Sequence, residues 1–288
     1  MFERFAEDLA SPEGPVSLPD GSWLAVEMAE HRGCVSHISP DSSIRVIKKT
    51  GRPNGLAVDK DGYIWLAESS KPSLIRMDMD GNAEEIFTEC DGEPFLLPND
   101  LAFGPHGELY MTDSGTTIAE YITVLGADGK LTPSYKDLPI DGRVYEIDPK
   151  KMTIKKIDTG LAFTNGIAFG PDNYLYINET FTGNILRYRW ENGHVVGGRE
   201  LFSDVPEPGP DGMKFDADGK LYVTIFYYGN ITVLDREGKF YKKIELDDTN
   251  PTNLAFPVSG ERKIHITEVK NGGMIVVDTE SSGLPLHK

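Results

Sequence analysis

Cysteine is scarce in this chain: the 288 residues contain two, Cys34 and Cys90, and no CxxC pair. A thiolate zinc site or a thiol redox motif is therefore excluded, and we expect two reduced thiols. Long apolar runs are also lacking, since no stretch reaches the roughly 18 residues typical of a membrane-spanning helix. The opening segment, MFERFAEDLASPEG, has no apolar core of signal-peptide length. These absences predict a soluble, cytoplasmic protein.

Common catalytic motifs are absent as well. The sequence has no GxSxG nucleophile elbow, no HExxH motif and no glycine-rich phosphate loop between a strand and a helix. Its six histidines show no metal-ligand spacing. Positive charge is in deficit, with 29 Lys and Arg against 46 Asp and Glu and a net charge of −17. Such a surface repels phosphate backbones and anionic lipid, so we expect no nucleic-acid and no membrane partner, whereas a bound cation is compatible with it.

What the sequence has in abundance is one repeated frame. Each copy contains Pro or Thr, a polar residue, a small or polar residue, a short apolar strand, a turn rich in Asp, Gly and Asn, and a second strand. The copies are SPEGPVSLPDGSWLAVE (11–27), RPNGLAVDKDGYIWLAE (52–68), LPNDLAFGPHGELYMTD (97–113), FTNGIAFGPDNYLYINE (163–179), GPDGMKFDADGKLYVTI (209–225) and NPTNLAFPVSGERKIHIT (250–267). The polar residues, here called the anchors, are Glu13, Asn54, Asn99, Asn165, Asp211 and Thr252. Their spacings of 41, 45, 66, 46 and 41 residues are typical of propeller blades with four strands each.

The repeats predict an all-β fold, a six-bladed β-propeller that forms a single domain over residues 1–288. The chain before Glu13 is expected to add an outer strand to the last blade, beside GGMIVVDTES, and so to close the ring. One interval, from Asn99 to Asn165, is too long by about 20 residues. The excess, around residues 115–142, is either a partial lid over the pocket or a loop without function.

In a propeller, the residues just before the first strand of each blade surround one mouth of the central channel. The anchors are therefore expected to converge, and all six carry side-chain oxygen. An oxygen-only set with two carboxylates, Glu13 and Asp211, suits a hard divalent cation, above all calcium. This predicts a central metal-binding channel. Turn chemistry is the alternative, because Asn and Asp side chains bond nearby backbone; it explains Asn54 well and Glu13 poorly.

Four segments of the repeat, SPEGPV, LPNDLAFGPHGELYMTDSG, FTNGIAFGPD and GPDGMKFDADGKLYV, resemble the SMP-30/gluconolactonase/luciferin-regenerating family. The resemblance implies a six-bladed propeller with a divalent ion in its channel. It also implies hydrolysis of sugar-acid lactones, other cyclic esters or phosphofluoridates. The metal ligands that it implies are Glu13, Asn165 and Asp211, with Asn99 as a fourth oxygen in some members.

The resemblance extends to the residues beside the ligands. Asn99 is expected to face the metal or the substrate, and Asp100 is expected to line the pocket next to it. Asp100 occupies a slot that is glycine in three other repeats, at Gly55, Gly166 and Gly212. This departure from the frame fits a role facing the substrate.

The segment before the third anchor departs from the family pattern. Sugar-lactone members usually carry an Arg there, whereas this chain has Glu93 in the rather apolar CDGEPFLLPND. Arg143 is the candidate replacement for that cation. Phe226, with Tyr227 and Tyr228, either walls the pocket or only caps a strand. A lactone that is less polar than gluconolactone, or differently functionalised, is therefore a credible substrate.

For the mechanism, we expect the ion to polarise the lactone carbonyl and to stabilise the tetrahedral oxyanion while water attacks. Asp211 is the first candidate for the general base, and Asp100 is the second. Asp113 and Glu179, which follow second strands, are candidates for the outer shell or the pocket wall. Calcium is the expected ion, with magnesium, manganese, zinc and iron(II) left open.

Two other interpretations stay open. One is a different hydrolase on the same fold, such as a phosphotriesterase or a C–C hydrolase of cyclic diketones. The other is a binding propeller without chemistry, in which Glu13 and Asp211 would meet with no cation between them, an unfavourable approach of like charges. The expected partner is a small-molecule substrate, and the chain is expected to be a monomer or a small homo-oligomer.

Overall fold

The computed structural model describes residues 2–127, 129–247 and 249–287; Met1, Asp128, Asp248 and Lys288 lie outside the described residues. The described chain forms six four-stranded antiparallel sheets and one two-stranded hairpin. The first strand of each four-stranded sheet contacts the first strands of the sheets before and after it, in a closed cycle. The predicted six-bladed β-propeller is confirmed.

The strands are numbered along the chain, beginning with β1 (Glu3–Ala6). Blade 1 contains β2 (Pro12–Ser17), β3 (Trp23–Glu27), β4 (Cys34–Ile38) and β5 (Ile44–Lys49). Blade 2 contains β6 (Pro53–Val58), β7 (Ile64–Glu68), β8 (Ser73–Met77) and β9 (Ala83–Phe87), and the hairpin β10 (Glu89–Cys90) and β11 (Glu93–Pro94) follows it. Blade 3 contains β12 (Pro98–Phe103), β13 (Leu109–Asp113), β14 (Gly142–Asp148) and β15 (Thr153–Leu161).

The remaining blades follow the same order. Blade 4 contains β16 (Thr164–Phe169), β17 (Tyr174–Glu179), β18 (Asn184–Glu191) and β19 (His194–Asp204). Blade 5 contains β20 (Pro210–Phe215), β21 (Leu221–Ile225), β22 (Asn230–Leu234) and β23 (Phe240–Glu245). Blade 6 contains β24 (Pro251–Ala255), β25 (Lys263–Glu268) and β26 (Gly273–Asp278), with β1 as its outer strand.

Strand β1 closes the ring. It pairs antiparallel with β26, with Glu3 opposite Val276 and Ala6 opposite Met274. The expected partnership between the start of the chain and GGMIVVDTES is therefore present. This pairing makes blade 6 from both ends of the chain, so that it joins the two ends through main-chain hydrogen bonds.

Apolar side chains fill the spaces between neighbouring blades. Between blades 2 and 3, Trp65, Leu101 and Tyr145 belong to one cluster and are each no more than 3% exposed. Burying one such side chain stabilises the fold by about 1.5–3 kcal/mol. Packing of this kind holds the inner strands in place and thereby fixes the residues at their ends.

The insertion at 115–142 leaves blade 3 between β13 and β14, at the same end of the blades as the anchors. It contains helix α1 (Ile118–Tyr121) and the short 3-10 segments Ile122–Val124 and Pro133–Asp137. A capping box formed by Thr117 and Glu120 starts the helix. Among the described residues, no helix has the length and apolar character to cross a membrane.

The insertion is packed rather than extended. Its Val124 and Tyr135 share an apolar cluster with Leu97, Phe163 and Phe181, which precede or follow strands of blades 3 and 4. The Tyr135 ring meets the Phe181 ring at 4.8 Å between centroids. The segment is therefore anchored on the face of the propeller where the first strands begin.

His265 lies in the joint between blade 6 and blade 1. Its ring stacks on Trp23 with 4.0 Å between centroids, and Phe5 meets it edge-on at 5.2 Å. The side chain is buried, and its Nδ1 has no hydrogen-bond partner in the described structure. Burial, and then the positive charge of Lys263, lowers the pKa of His265 to about 4. The imidazole is thus a neutral, packed ring at neutral pH.

This packing predicts acid sensitivity at the joint. Unfolded His takes up a proton near pH 6.5, whereas folded His265 does so only at about 4. Between these values the unfolded state binds more protons, so the free energy of unfolding falls as the pH drops, by roughly 3 kcal/mol in total. Urea unfolding of His265→Phe from pH 7 to 4.5 should show a smaller pH dependence than wild type. The same change at exposed His31 is the control, and an unchanged slope in His265→Phe would contradict the assignment.

Candidate metal centre and active site

The six anchors occupy equivalent places in the blades. In each blade, the residue before the anchor pairs with the last residue of the second strand. Before Glu13, Pro12 pairs with Glu27, and before Asn99, Pro98 pairs with Asp113. In every blade the ladder between the first and second strands is then interrupted for two residues. The anchor residues therefore begin the inner strands at one mouth of the channel, here called the anchor mouth.

Side chains from opposite blades meet at this mouth. The Asn253 Nδ2 of blade 6 donates to the Glu13 Oε2 of blade 1 at 3.2 Å and to the Asp100 Oδ2 of blade 3 at 3.3 Å. Glu13, Asp100 and Asn253 are each at most 3% exposed. Residues far apart in the sequence thus converge on one buried, polar spot, as the repeat predicts.

The carboxylates of this spot repel one another. Burial raises the pKa of Glu13 well above its usual range, and the Asp211 and Asp100 carboxylates raise it further. Burial, and then the Asp100 carboxylate, likewise raises the pKa of Asp211. A hydrogen bond from the Asn165 side chain lowers this pKa in part. Buried carboxylates this close to one another require protons or a cation. A divalent cation would satisfy them without protonation.

Hydroxyl groups fix the orientation of two anchor amides. The Ser114 Oγ donates to the Thr164 carbonyl at 2.9 Å and therefore accepts from the Asn99 Nδ2 at 3.0 Å. In the next blade, the Thr180 Oγ1 donates to the Pro210 carbonyl at 2.7 Å and accepts from Nδ2 of the Asn165 anchor at 3.1 Å. Each amide is held by its nitrogen, which leaves its oxygen available to another group.

The Asn99 oxygen is the clearest sign of a missing partner. Its Oδ1 is buried and has no hydrogen-bond partner in the described structure. A buried acceptor without a partner costs about 1–3 kcal/mol, and a cation would supply the missing interaction. Within residues 2–127, 129–247 and 249–287, no three His, Cys, Asp or Glu side chains group as metal ligands. The candidate set therefore depends on amide oxygens together with carboxylates, a composition that suits calcium.

Close approach between blades decides which side chains enter the mouth. A Cβ on Gly212 would overlap the Asn253 amide, and a Cβ on Gly55 would overlap the Asp100 backbone and carboxylate. Asp100 and Asn253 therefore lie over the glycines of the preceding blades. Both use the same local geometry, because each Oδ1 accepts from the next backbone N–H at 2.8 Å.

Asn253 is a site residue that the sequence analysis missed. It stands directly after the anchor Thr252, in the slot where Asp100 stands in blade 3 and glycine stands in blades 1, 2, 4 and 5. The departure from glycine that singled out Asp100 was therefore also present at Asn253. Thr252 itself points elsewhere, since its Oγ1 donates to the Pro12 carbonyl at 2.8 Å and joins the first and last blades.

Arg143 and Glu93 are not brought to the anchor mouth by the contacts of the structure. The Arg143 Nε pairs with Asp141 Oδ2 at 3.0 Å, and its Nη2 lies 3.8 Å from the Glu93 Oε2. The Arg143 Nη1 also donates to the Pro94 carbonyl at 3.1 Å. Glu93 in turn pairs with Lys156 at 2.6 Å. These contacts tie the β10–β11 hairpin to the base of the insertion.

Arg52, unlike Arg143, lies near the anchor mouth, and the sequence analysis did not identify it. It stands two residues before the anchor Asn54 and is half-buried. Its guanidinium has no ion pair or hydrogen bond in the part of the chain that the structure describes. Burial lowers the pKa of Arg52, while Tyr121 and then Glu68 act in the opposite direction. Arg52 thus faces the insertion and is available to a ligand.

The aromatic residues reach the same region. Phe226 is half-buried at the start of the 3-10 segment Phe226–Tyr228, and its ring meets the Tyr227 ring at 4.8 Å. The Tyr227 hydroxyl lies 3.4 Å from the Tyr121 hydroxyl of the insertion. Burial raises the pKa of both tyrosines, and the nearby Asp211 carboxylate contributes. The insertion therefore approaches the anchor mouth over Asp211.

Asp113 and Glu179 hold loops. The Asp113 carboxylate accepts backbone N–H groups of Leu96 at 2.8 Å, Leu97 at 2.9 Å and Gly115 at 3.0 Å. Glu179 accepts the backbone N–H of Ala162 at 2.7 Å. Similar bonds at Glu27 and Glu68 show that this is a structural feature of most blades. The strand-end carboxylates position the segments that lead into the inner strands.

The protein is a six-bladed β-propeller in which side chains that carry oxygen atoms surround one mouth of the central channel. The model of the SMP-30/Gluconolactonase/LRE-like region matches residues 73–270. The chain belongs to this family, as its motifs predict.

Curated relatives show the range of the family. Diisopropyl-fluorophosphatase of Loligo vulgaris is 24% identical over 308 residues, covering 98% of this chain and 93% of the relative. Gluconolactonase of Zymomonas mobilis is 24% identical over 287 residues, covering 90% and 77%. Protein STRICTOSIDINE SYNTHASE-LIKE 13 of Arabidopsis thaliana is 30% identical over 182 residues, which is 62% of this chain and 42% of that protein. The chain spans at most half the length of the strictosidine synthase-like relatives first matched.

Solved structures share the fold. A gluconolactonase from Xanthomonas campestris has a TM-score of 0.77 at 22% identity, covering 94% of this chain and 87% of the other. A calcium-binding protein, regucalcin, from Agrobacterium tumefaciens has a TM-score of 0.76 at 19% identity, covering 99% and 98%. At these identities the likeness establishes the propeller architecture.

Proposed function

We propose that this protein is a metal-dependent hydrolase that opens a lactone to the hydroxy acid, with calcium as the ion. The observation that carries the proposal is the convergence of buried Glu13 and Asp100 with half-buried Asp211 at the anchor mouth, where the Asn99 anchor has an unpartnered Oδ1. The regucalcin relative is described as a calcium-binding protein, and the Zymomonas mobilis relative as a gluconolactonase. Both descriptions support the proposal.

In this proposal the ion is held by Glu13, Asn99, Asn165 and Asp211. When bound, a divalent cation supplies Lewis acidity that polarises an ester carbonyl. Ser114 and Thr180 hold the two amide nitrogens, so that the amide oxygens would be free to coordinate the ion. This orientation is set before binding, so that little reorganisation is needed.

The proton transfers fall to the carboxylates. Asp211 takes a proton from the attacking water, the bond between the acyl carbon and the ring oxygen breaks, and the ring oxygen leaves with a proton as the new hydroxyl group. Asp211 suits this role because a ligand carboxylate can lie within reach of both the ion and the attacking water. Asp100, which is held by Asn253, is the alternative base.

The surroundings favour a lactone with apolar character. The Asp211 carboxylate contributes to the raised pKa of Tyr121 and of Tyr227, whose hydroxyls meet, and the Phe226 ring packs against the Tyr227 ring. The insertion then serves as a partial lid that excludes water from the reacting carbonyl. Arg52, rather than the paired Arg143, is the cation available to a polar substituent of the substrate.

Phosphofluoridate hydrolysis is the second candidate. The relative that supports it, diisopropyl-fluorophosphatase, aligns over 98% of this chain. The same ligands and base would serve, because a phosphoryl oxygen can take the place of the carbonyl oxygen.

Substrate profiling separates these possibilities. Acid release should be followed for γ- and δ-lactones with hydrogen, hydroxyl or alkyl substituents, and for diisopropyl fluorophosphate, before and after EDTA and after added calcium. We expect calcium-dependent turnover that is fastest with alkyl-substituted lactones. Asn99→Ala should lose it, whereas exposed Glu85→Gln should keep it. Absence of metal uptake and of turnover with every substrate would leave a binding propeller instead.

A further inference from the structure

The central channel contains a cavity on the side opposite the insertion. Its volume is about 780 Å³, and all six inner strands contribute to its walls. Its rim is formed by turns that join first and second strands, and by the C-terminal segment 282–287. Asp100 and Asn253 lie at its inner end. We call this space the channel cavity.

One position in each inner strand lines the channel cavity with a small side chain, except in blade 5. This position lies three residues after the anchor. It pairs with a residue of the second strand that lies three residues before the end of that strand, as Ala57 pairs with Trp65 in blade 2. Its occupants are Val16, Ala57, Ala102, Ala168, Lys214 and Ala255. The small residues create the space, and Lys214 places a single positive charge in this layer.

Lys214 has no evident structural task. It is half-buried, and its ammonium has no ion pair or hydrogen bond in the part of the chain that the structure describes. By contrast, Lys220, which immediately precedes β21, pairs with Glu280 at 3.3 Å. A half-buried ammonium without a partner, in an apolar wall, is a binding group for an anion.

The C-terminal segment gives the channel cavity an apolar cover. The Leu284 N–H donates to the Phe215 carbonyl at 3.0 Å, and the Ala217 N–H donates to the Ser282 carbonyl at 2.8 Å. These bonds fasten the segment to blade 5, beside Lys214. Leu284 and Leu286 then line the rim. The wall and the cover of the cavity are thus mainly apolar, and the charged side chains Asp20, Asp59 and Lys60 belong to the turns at its rim.

We infer that the channel cavity binds an aliphatic carboxylate of medium chain length, with its carboxylate on Lys214 and its chain along the apolar wall towards the C-terminal segment. Ligand sites in proteins commonly measure about 300–1,000 Å³ and combine apolar walls with a few polar groups. Asp100 at the inner end offers a ligand carboxylate another carboxyl group rather than a cation, so the lysine fixes the position of the charged end. The site requires neither the ion nor hydrolysis, so it goes beyond the proposed function.

Calorimetric titration of the full chain in EDTA tests this site. The probe is octanoate, and octan-1-ol is its uncharged counterpart. Wild type should bind octanoate at least about tenfold more tightly than octanol, because only the carboxylate can form a charge-assisted pair with Lys214. Lys214→Met should lose this preference, Lys214→Arg should retain it, and the exposed control Lys155→Met should leave it unchanged.

Two results would overturn the inference: no binding of octanoate to wild type, or an undiminished preference for octanoate in Lys214→Met. Because the titration is done without metal, it does not depend on lactone hydrolysis. A protein that binds octanoate through Lys214 but hydrolyses no lactone would keep this inference and remove the proposed function. A calcium-dependent lactonase that binds no octanoate would do the reverse.

Discussion

Asp211→Asn is expected to lower lactone hydrolysis by at least a factor of about 100 without unfolding the protein, in line with the loss of a general base. Asn has nearly the same shape as Asp and can still offer an oxygen to the ion. It cannot accept the proton of the attacking water. It also removes one of the carboxylates whose mutual repulsion raises the pKa of Glu13, so the fold should not suffer.

Three measurements make this prediction specific. The rate should be compared at saturating calcium, the metal content should be determined for each variant, and the melting temperature should be recorded. Asp204→Asn, at an exposed strand end, is the matched control and should behave as wild type. Asp100→Asn is the informative comparison, because Asp100 is the alternative base. Turnover that survives in Asp211→Asn with calcium bound, and is lost in Asp100→Asn, would transfer the role to Asp100.

The fold was predictable because each blade repeats its own local signals. The anchor, the apolar strand and a turn rich in Asp, Gly and Asn recur every 41–46 residues in four of the five intervals, so the number of blades could be counted from the sequence. The partner of β1 could also be inferred, since a ring has to close and the last blade, which contains GGMIVVDTES, needed a fourth strand. Both inferences depend on pairing between segments whose positions the repeat already specifies.

The composition of the anchor mouth was only partly predictable. Asn253 enters it because Gly212 in the preceding blade leaves room, and this contact joins two blades that are separate in sequence. The repeated frame shows which blades have a residue other than glycine after the anchor, but it does not show which side chains of different blades meet at the anchor mouth. The same limit applies to Thr252, whose hydroxyl turned out to join blades 6 and 1.

The insertion was the least predictable part, because it follows no repeat. Neither the contact of Tyr121 with Tyr227 nor the availability of Arg52 has a local signal. Arg143 was a reasonable candidate from its distance along the chain, but Asp141, only two residues away, pairs with it. Short-range ion pairs of this kind take charges out of a pocket, and sequence alone does not distinguish them from charges that face a ligand.

Glu13→Gln is expected to stabilise the metal-free protein and to abolish most of its response to calcium. In wild type, buried Glu13 lies beside Asp211 and Asp100, and the raised pKa of Glu13 reports the cost of ionising it there. Gln keeps the shape and the hydrogen-bonding capacity of the side chain while removing the charge. Relief of the repulsion should therefore raise the melting temperature in EDTA above that of wild type.

Calcium should reverse this order, and the reversal is the decisive result. At a concentration about 100 times its dissociation constant, a ligand that binds only the folded state stabilises it by about 2.7 kcal/mol, or about 5 °C in a chain of this size. Wild type should gain that amount, Glu13→Gln should gain little, and exposed Glu85→Gln should follow wild type in both conditions. If instead the melting temperatures of wild type and Glu13→Gln were equal in EDTA and equally unaffected by calcium, Glu13 would contribute neither repulsion nor coordination. The anchor residues would then have only a structural role between blades. In a metal site that contains several carboxylates, both the loss of one carboxylate and the binding of the cation must change the stability of the folded protein.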